Sequence, residues 1–112
     1  MEVFIMFKSQ IVKLVGVLHE NAQDNIQKWG CPDIGTYALV REKDNPHDPN
    51  AIRVALFGHY YMGYLPRHLA GVLAPMVDSG RNFIAEFVSV NRHPYHEEVG
   101  LTIRIVEMVP AQ

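Results

Sequence analysis

Hydrophobic and polar residues alternate along much of the chain with the two-residue period of β-strands, whose side chains point alternately to two faces. The segments that are β-rich or alternating in this way are residues 2–8, 11–18, 36–42, 51–57, 60–65, 81–91 and 97–108. Ser9 and Gln10 form either a turn between the first two segments or a kink in one long strand. The pattern therefore predicts a mainly β chain of about six strands.

A short helix is predicted over about residues 21–29, where the spacing of apolar positions changes. Ala22, Ile26 and Trp29 are four and three positions apart, so they share one face of a helix. Asn21 stands where its side chain would cap the first helical turn.

A second helix is predicted to begin at Pro66, because proline suits the first helical position. Its apolar stripe consists of Leu69, Val72, Leu73, Met76 and Val77. Pro75 lies inside this stripe, and an internal proline removes an N–H donor and crowds the preceding turn. We therefore expect the helix to kink or break at Pro75 and to end at Gly80.

The resulting order of elements, β-α-β-β-β-α-β-β, is typical of a small β-barrel whose helices cover its ends. The chain has 112 residues, of which 48% are apolar, and this suits one domain over residues 1–112. The predicted fold class is α+β and mainly β.

Composition argues against several classes of protein. The single cysteine, Cys31, allows neither an internal disulfide nor a cysteine zinc cluster, and a free thiol points to a reducing, cytoplasmic location. No apolar run reaches the length of a membrane span, and the N-terminus lacks the basic start of a signal peptide. Ten basic and twelve acidic residues give a net charge of −2, so the chain would not coat a nucleic acid by charge alone.

Sequence motifs for catalysis are missing too. The chain contains neither a phosphate-binding G-x-x-x-x-G-K-[ST] loop nor a G-x-S-x-G nucleophile turn. Asp44 and Asp48 lie in a turn rich in Asn and Pro, where carboxylates more often cap the backbone than act as catalysts. We therefore expect no enzymatic activity and no cofactor.

His93 and His96 have an H-x-x-H spacing next to two glutamates, which resembles a metal-binding pattern. The spacing crosses a proline in a predicted loop over residues 91–96, and a third ligand would have to come from elsewhere. A mobile polar loop is the expected structure, and we predict no metal.

The most informative segment is the polar turn over residues 43–50, with two prolines, two aspartates and two asparagines. Asn45 and Asp48 provide hydrogen-bond acceptors, and His47 provides a flat ring. A carboxylate such as that of Asp48 repels a phosphate but accepts a hydrogen bond from a sugar hydroxyl. The turn could therefore favour a strand end with a free hydroxyl.

The strand before the second helix ends in residues that would complement this turn. Tyr64 adds another ring, and Arg67 adds a positive charge near the helix N-terminus, whose N–H groups favour anions. Rings for stacking together with a basic group suit a single-stranded nucleic acid. The same prolines, asparagine and glycine could instead only shape turns, and both roles can coexist.

These motifs resemble the HIRAN domain family. The matching segments are Val15-Gly16-Val17, Leu39-Val40-Arg41-Glu42, Asp44-Asn45-Pro46-His47-Asp48-Pro49-Asn50-Ala51-Ile52 and Gly63-Tyr64-Leu65-Pro66. The resemblance covers about residues 11–90. It implies a modified OB-like β-barrel that binds the 3′ end of single-stranded DNA. HIRAN domains occur fused to remodelling helicases and nucleases and also as stand-alone bacterial or phage proteins, and we expect the stand-alone kind for a chain of 112 residues.

The resemblance implies a set of nucleic-acid-binding residues. These are His19, Asn45, His47, Asp48, Tyr64 and Arg67, and the candidate site also includes Lys43, a basic residue of the polar turn. Two positions depart from the family pattern: His47 replaces the usual tyrosine of the turn, and His19-Glu20 replaces an aromatic pair. Both departures weaken base stacking, and Glu20 would repel a backbone phosphate.

An alternative hypothesis is a protein-interaction module. The apolar segment from Val3 to Phe7 would then present a strand edge to a DNA-processing helicase, nuclease or polymerase, or to a second copy of the chain. An enzyme is the weakest hypothesis, because the sequence groups no set of metal-binding carboxylates.

Overall fold

The sheet and helices follow the predicted order in a computed structural model that describes residues 7–109. The elements are β1 (Gln10–Lys13), α1 (Ala22–Trp29), β2 (Thr36–Arg41), β3 (Ile52–Leu56), β4 (Tyr60–Tyr64), α2 (Arg67–Asp78), β5 (Asn82–His93) and β6 (His96–Met108). The mainly β, α+β prediction is confirmed.

The strands form one antiparallel sheet in the order β1-β6-β5-β2-β3-β4. The sheet curls until its two edges meet just beyond β1. There Val15 and Tyr64 exchange both backbone hydrogen bonds, each with an N···O distance of 2.9 Å. This isolated bridge joins the edges of the curled half-barrel, which confirms the predicted OB-like small barrel.

The core lies inside the curl and beneath both helices. α1 packs against β4 and β6, with Ala22 and Ile26 fully buried. The largest fully buried side chains are Tyr37, Ile26, Ile52, Met62, Leu73, Leu101, Ile103, Ile105 and Val54. Burial of these side chains, from the strands and from both helices, is the main source of the fold's stability.

The first strand is shorter than predicted. β1 ends at Lys13, and the chain turns at Gly16, which has a φ of +68°. The turn places Val15 opposite β4, so residues 11–18 cannot form one straight strand. Residues 2–6 of the first predicted strand lie outside the described residues, whereas Phe7 packs edge-on against Phe83 with ring centroids 5.2 Å apart.

Two features expected of the helices, a cap from Asn21 and a break at Pro75, are absent. Asn21 occupies the position before α1 but makes no side-chain capping hydrogen bond. α2 is not broken at Pro75 and continues to Asp78, because less than one turn remains beyond the proline and buried Leu73 and Ala74 hold the helix on the barrel. Within residues 7–109, no helix has the length and apolar character needed to cross a membrane.

The loop predicted over residues 91–96 is also shorter than expected. β5 continues to His93 and β6 begins at His96, which leaves Pro94 and Tyr95 as the turn. The Asn91 side chain donates a hydrogen bond to the Thr102 hydroxyl across the two strands, at 2.8 Å. In the described part of the chain, no group of three or more metal-ligating side chains surrounds these histidines.

Candidate nucleic-acid interface

The polar turn between β2 and β3 is fixed by its own side chains. Asn45 Oδ1 accepts hydrogen bonds from the backbone N–H groups of His47 and Asp48, at 2.9 and 3.0 Å. Asp48 Oδ1 accepts one from the N–H of Asn50, at 2.9 Å. These side-chain caps hold the backbone of the turn, and they leave Asp48 Oδ2 without a hydrogen-bond partner inside the turn.

A second set of contacts holds this turn against α2. Arg41 Nη1 donates to the carbonyl oxygen of Pro49 at 2.6 Å, and its Nε and Nη2 contact the carboxylate of Asp78 at 3.1 and 3.2 Å. Arg41 therefore joins the end of β2, the turn and the C-terminal end of α2 in a fixed arrangement.

The turn and the start of α2 enclose one pocket of about 250 Å³. Its lining residues are Val15, Asn45, His47, Asp48, Ala51, Tyr64, Leu65 and Arg67. The structure thus brings together five of the predicted site residues. The apolar lining from Val15, Ala51 and Leu65 was not predicted, because Val15 reaches the pocket only through closure of the barrel.

Asp48 and Arg67 place opposite charges at this pocket. Arg67 Nη2 donates to the carbonyl oxygen of His47 at 2.9 Å, and its Nε lies 3.7 Å from Asp48 Oδ2. The side chain of Arg67 is 77% exposed, whereas that of Asp48 is only 16% exposed. An incoming group can therefore reach the guanidinium directly, while the carboxylate presents one edge inside the pocket.

The remaining predicted residues lie beside the pocket rather than in its lining. Lys43 lines a neighbouring depression with Asn45 and Tyr64, and its Nζ is 3.8 Å from a carboxylate oxygen of Asp78. A Cβ atom added at Gly16 would lie 3.4 Å from the Tyr64 ring and 3.8 Å from the His19 ring. His19 and Tyr64 therefore flank Gly16.

Glu42 connects the turn to the barrel wall and was not predicted as part of the site. Its carboxylate accepts hydrogen bonds from the Tyr64 hydroxyl at 2.6 Å, Arg53 Nε at 2.7 Å and Asn45 Nδ2 at 3.1 Å. Burial raises the pKa of Glu42, but the hydrogen bonds from Tyr64 and Asn45 and the charge of Arg53 outweigh it and lower the pKa below its ordinary value.

Arg53 completes this network from β3. Its guanidinium lies over the Tyr61 ring at 4.7 Å and near the Tyr64 ring at 5.7 Å, and Nη2 contacts Glu20 Oε2 at 2.9 Å. In the hairpin register Val40 pairs with Arg53, so Glu42, two residues further on, lies diagonally on the same face. Only this register brings the pair together, and the local sequence does not specify it.

Comparison with known families decides what kind of domain carries this pocket. A sequence model of the HIRAN domain family matches residues 8–108. The chain belongs to the HIRAN domain family. HIRAN domains are in general DNA-binding modules, and the domain itself is a binding domain rather than a catalytic one.

Two solved structures share the fold. The HIRAN domain of human HLTF superposes with a TM-score of 0.61 and 21% identity, covering 88% of this chain and 74% of that one. A protein from Lactobacillus plantarum gives a TM-score of 0.64 and 20% identity, covering 89% of this chain and 97% of that one.

A curated relative adds a similarity in sequence. The Fanconi-associated nuclease 1 homolog of Oryza sativa subsp. japonica is 49% identical over 43 residues, which cover 36% of this chain. The matched segment is only 4% of the rice protein's length, so the similarity concerns one small part of that protein.

Proposed function

We propose that this HIRAN domain binds single-stranded DNA and recognises a terminal 3′-hydroxyl in the pocket between the turn and α2. The observation that carries the proposal is the position of the Asp48 carboxylate, 3.7 Å from the exposed guanidinium of Arg67. A terminal sugar offers a hydroxyl that can donate to the carboxylate, and its 5′ side offers a phosphate that the guanidinium can bind.

The turn gives Asp48 the rigidity that end recognition requires. Asn45 holds the Asp48 backbone from one side, and the Asn50 N–H holds one carboxylate oxygen. An additional phosphate on the 3′ oxygen would lie against the same carboxylate, where two negative charges repel each other. The pocket therefore favours a free hydroxyl over a phosphorylated end.

Ring side chains around the pocket support binding of a single strand. His47 is an exposed residue of the pocket lining, Tyr64 is a half-buried one, and His19 lies near Gly16 beside the pocket. Stacking on such rings is tolerant of base identity and contributes about 1–3 kcal/mol per base. Lys43, beside the pocket, adds a positive charge for the backbone.

Asp48→Asn is expected to reduce the preference for a free 3′ end. Asparagine keeps the oxygen that accepts a hydrogen bond from the Asn50 N–H but removes the negative charge. The preference for a free 3′ end over a 3′-phosphate should therefore fall about tenfold, which corresponds to about 1.4 kcal/mol. Fluorescence anisotropy with two oligonucleotides that differ only in a 3′-phosphate measures this ratio. Equal affinities of the wild type for both ends would remove end recognition from the proposal.

Arg67→Ala is expected to lower the affinity for every single-stranded DNA by a similar factor. The loss of one phosphate contact should reduce the slope of log K against log salt by about 0.7. Arg104→Ala is the matched control, because Arg104 is a partly exposed arginine of β6 that lines none of the pockets described above. An unchanged slope in Arg67→Ala would contradict a phosphate contact at this position.

The alternative role as a protein-interaction module stays a prediction. Val3–Met6, on which it mainly rests, lie outside the described residues, and Phe7 packs against Phe83 of the barrel. A helicase, nuclease or polymerase partner would be recovered by affinity capture, and a homodimer would double the mass in light scattering.

A further inference from the structure

A second position suited to an anion lies on the barrel wall next to the pocket, at the guanidinium of Arg53. Arg53 Nε binds Glu42 Oε2 at 2.7 Å, and Nη2 binds Glu20 Oε2 at 2.9 Å. The Tyr64 hydroxyl, which donates to Glu42, also lies within hydrogen-bonding range of the Arg53 guanidinium. The ring of Tyr64, which lines the pocket, lies beside the same guanidinium.

The two carboxylates on Arg53 are held very differently. Glu42 is also bound by the Tyr64 hydroxyl and by Asn45, and its side chain is only 24% exposed. Glu20 is 52% exposed, and Arg53 is its one side-chain partner within the described part of the chain. Glu42 is therefore a fixed part of the wall, whereas Glu20 can leave without breaking another contact.

The backbone around Glu20 also distinguishes it from an ordinary surface residue. Glu20 has a φ of +50°, a left-handed conformation that is uncommon for glutamate. It ends the turn that begins at Gly16, whose carbonyl accepts a hydrogen bond from the His19 N–H at 3.3 Å. This turn directs the Glu20 carboxylate back onto β3, toward the arginine.

We propose that Arg53 is a binding position for a phosphodiester of the single strand, and that Glu20 occupies this position in the free protein. The proposal rests on the proposed function. A guanidinium binds carboxylates and phosphates through the same parallel N–H groups, so the Glu20 oxygen marks where a phosphate oxygen would lie. Nη2, which Glu20 would vacate, could then donate to a phosphate oxygen.

Exchange of one anion for the other explains how a wall with two carboxylates can accept DNA. With Glu20 in place, two negative charges surround the single positive charge of Arg53. When a phosphodiester replaces Glu20, the same balance of charges is kept near the guanidinium, and the freed carboxylate moves into solvent. Glu20 therefore competes with the DNA for Arg53 and lowers the affinity of the domain.

Glu20→Gln is expected to raise the affinity for a 3′-hydroxyl oligothymidine by about fivefold, because the competing exposed ion pair is lost. The slope of log K against log salt should change little, since the same phosphate pairs with Arg53 in both proteins. Anisotropy titrations over a series of salt concentrations give both quantities.

Two comparisons separate competition at Arg53 from general charge repulsion. Asp24→Asn removes the same charge from a nearby exposed residue of α1 that has no contact with Arg53. The gain from Glu20→Gln should also disappear when Arg53 is Gln, a background whose folding is checked by circular dichroism, with Arg53→Lys as the milder variant. An equal gain from Asp24→Asn, or a gain that persists without Arg53, would overturn the proposal.

The outcome also distinguishes this inference from the proposed function. Wild-type binding that depends on Asp48, together with an unchanged affinity in Glu20→Gln, would refute the Arg53 position and leave the proposed function intact. If neither the wild type nor Glu20→Gln binds the oligothymidine at low salt, both are refuted.

Discussion

Replacing Glu42 with alanine is expected to lower the free energy of unfolding by about 2–4 kcal/mol and to abolish end-dependent DNA binding. The substitution removes one carboxylate from three donors at once: the Tyr64 hydroxyl, Asn45 Nδ2 and Arg53 Nε. A half-buried arginine would lose its fixed partner, and the turn would lose its link to β4. Urea denaturation followed by circular dichroism measures the stability.

Glu86→Ala is the matched control for this substitution. Glu86 is a partly exposed glutamate of β5, and its contact with Arg104 is long, at 3.8 Å. An exposed pair of this kind contributes about 0–1 kcal/mol, so its loss should be nearly neutral. If Glu42→Ala cost no more than Glu86→Ala, the Glu42 network would not stabilise the site.

The acid dependence of stability follows from the same network. The pKa of Glu42 in the folded state is below the ordinary value of 4.5, so the unfolded state binds the proton more tightly. The stabilisation is therefore complete above that ordinary value and is lost as the pH falls through the folded-state pKa. The stability difference between wild type and Glu42→Gln should accordingly shrink in acid, and a constant difference would contradict this.

Gly63→Ala is expected to destabilise the barrel by about 2–4 kcal/mol, because the added methyl group would force its closing edges apart. Gly63 has a φ of +148°, and a Cβ at this position would lie 2.9 Å from the Val15 carbonyl oxygen and 3.1 Å from Leu14 Cβ. That carbonyl accepts the N–H of Tyr64 in the bridge between the two edges. Thermal unfolding measures the loss.

Gly58→Ala separates backbone strain from the clash. Gly58 lies in the turn between β3 and β4 with a φ of +71°, and a Cβ there would meet no atom within 4 Å. Its substitution should cost about 1 kcal/mol from conformation alone. A loss in Gly63→Ala that merely equals this value would show that the closing bridge tolerates the methyl group.

Local patterns in the sequence were sufficient for most of the elements. Alternation predicted β2 to β4, and the prolines and asparagines of the turn predicted its rigidity, because these features depend on residues close in the chain. The break predicted at Pro75 did not occur because packing of Leu73 and Ala74 on the barrel outweighs the local cost. Asn21 makes no cap even though its residue type favours one.

The parts of the candidate site that were missed depend on contacts between distant segments. Val15 reaches the pocket because the sheet closes, and Arg53 meets Glu20 across a separation of 33 residues. The position of Glu42 beside Arg53 requires the register of the hairpin, which the turn sequence does not specify. Asp48 and Arg67 could be predicted as neighbours because local sequence defines both elements that carry them. Asp48 lies in the turn marked by prolines and asparagines, and Arg67 lies at the start of the helix marked by its apolar stripe.

The bridge between Val15 and Tyr64 joins the barrel edges at a residue whose ring also lines the pocket. Any molecule that binds only the closed arrangement of Tyr64 must stabilise that arrangement. Closure must in turn strengthen the binding of the molecule by the same free energy. The amide protons of these two residues should then exchange with solvent more slowly, and by similar factors, when the pocket is occupied.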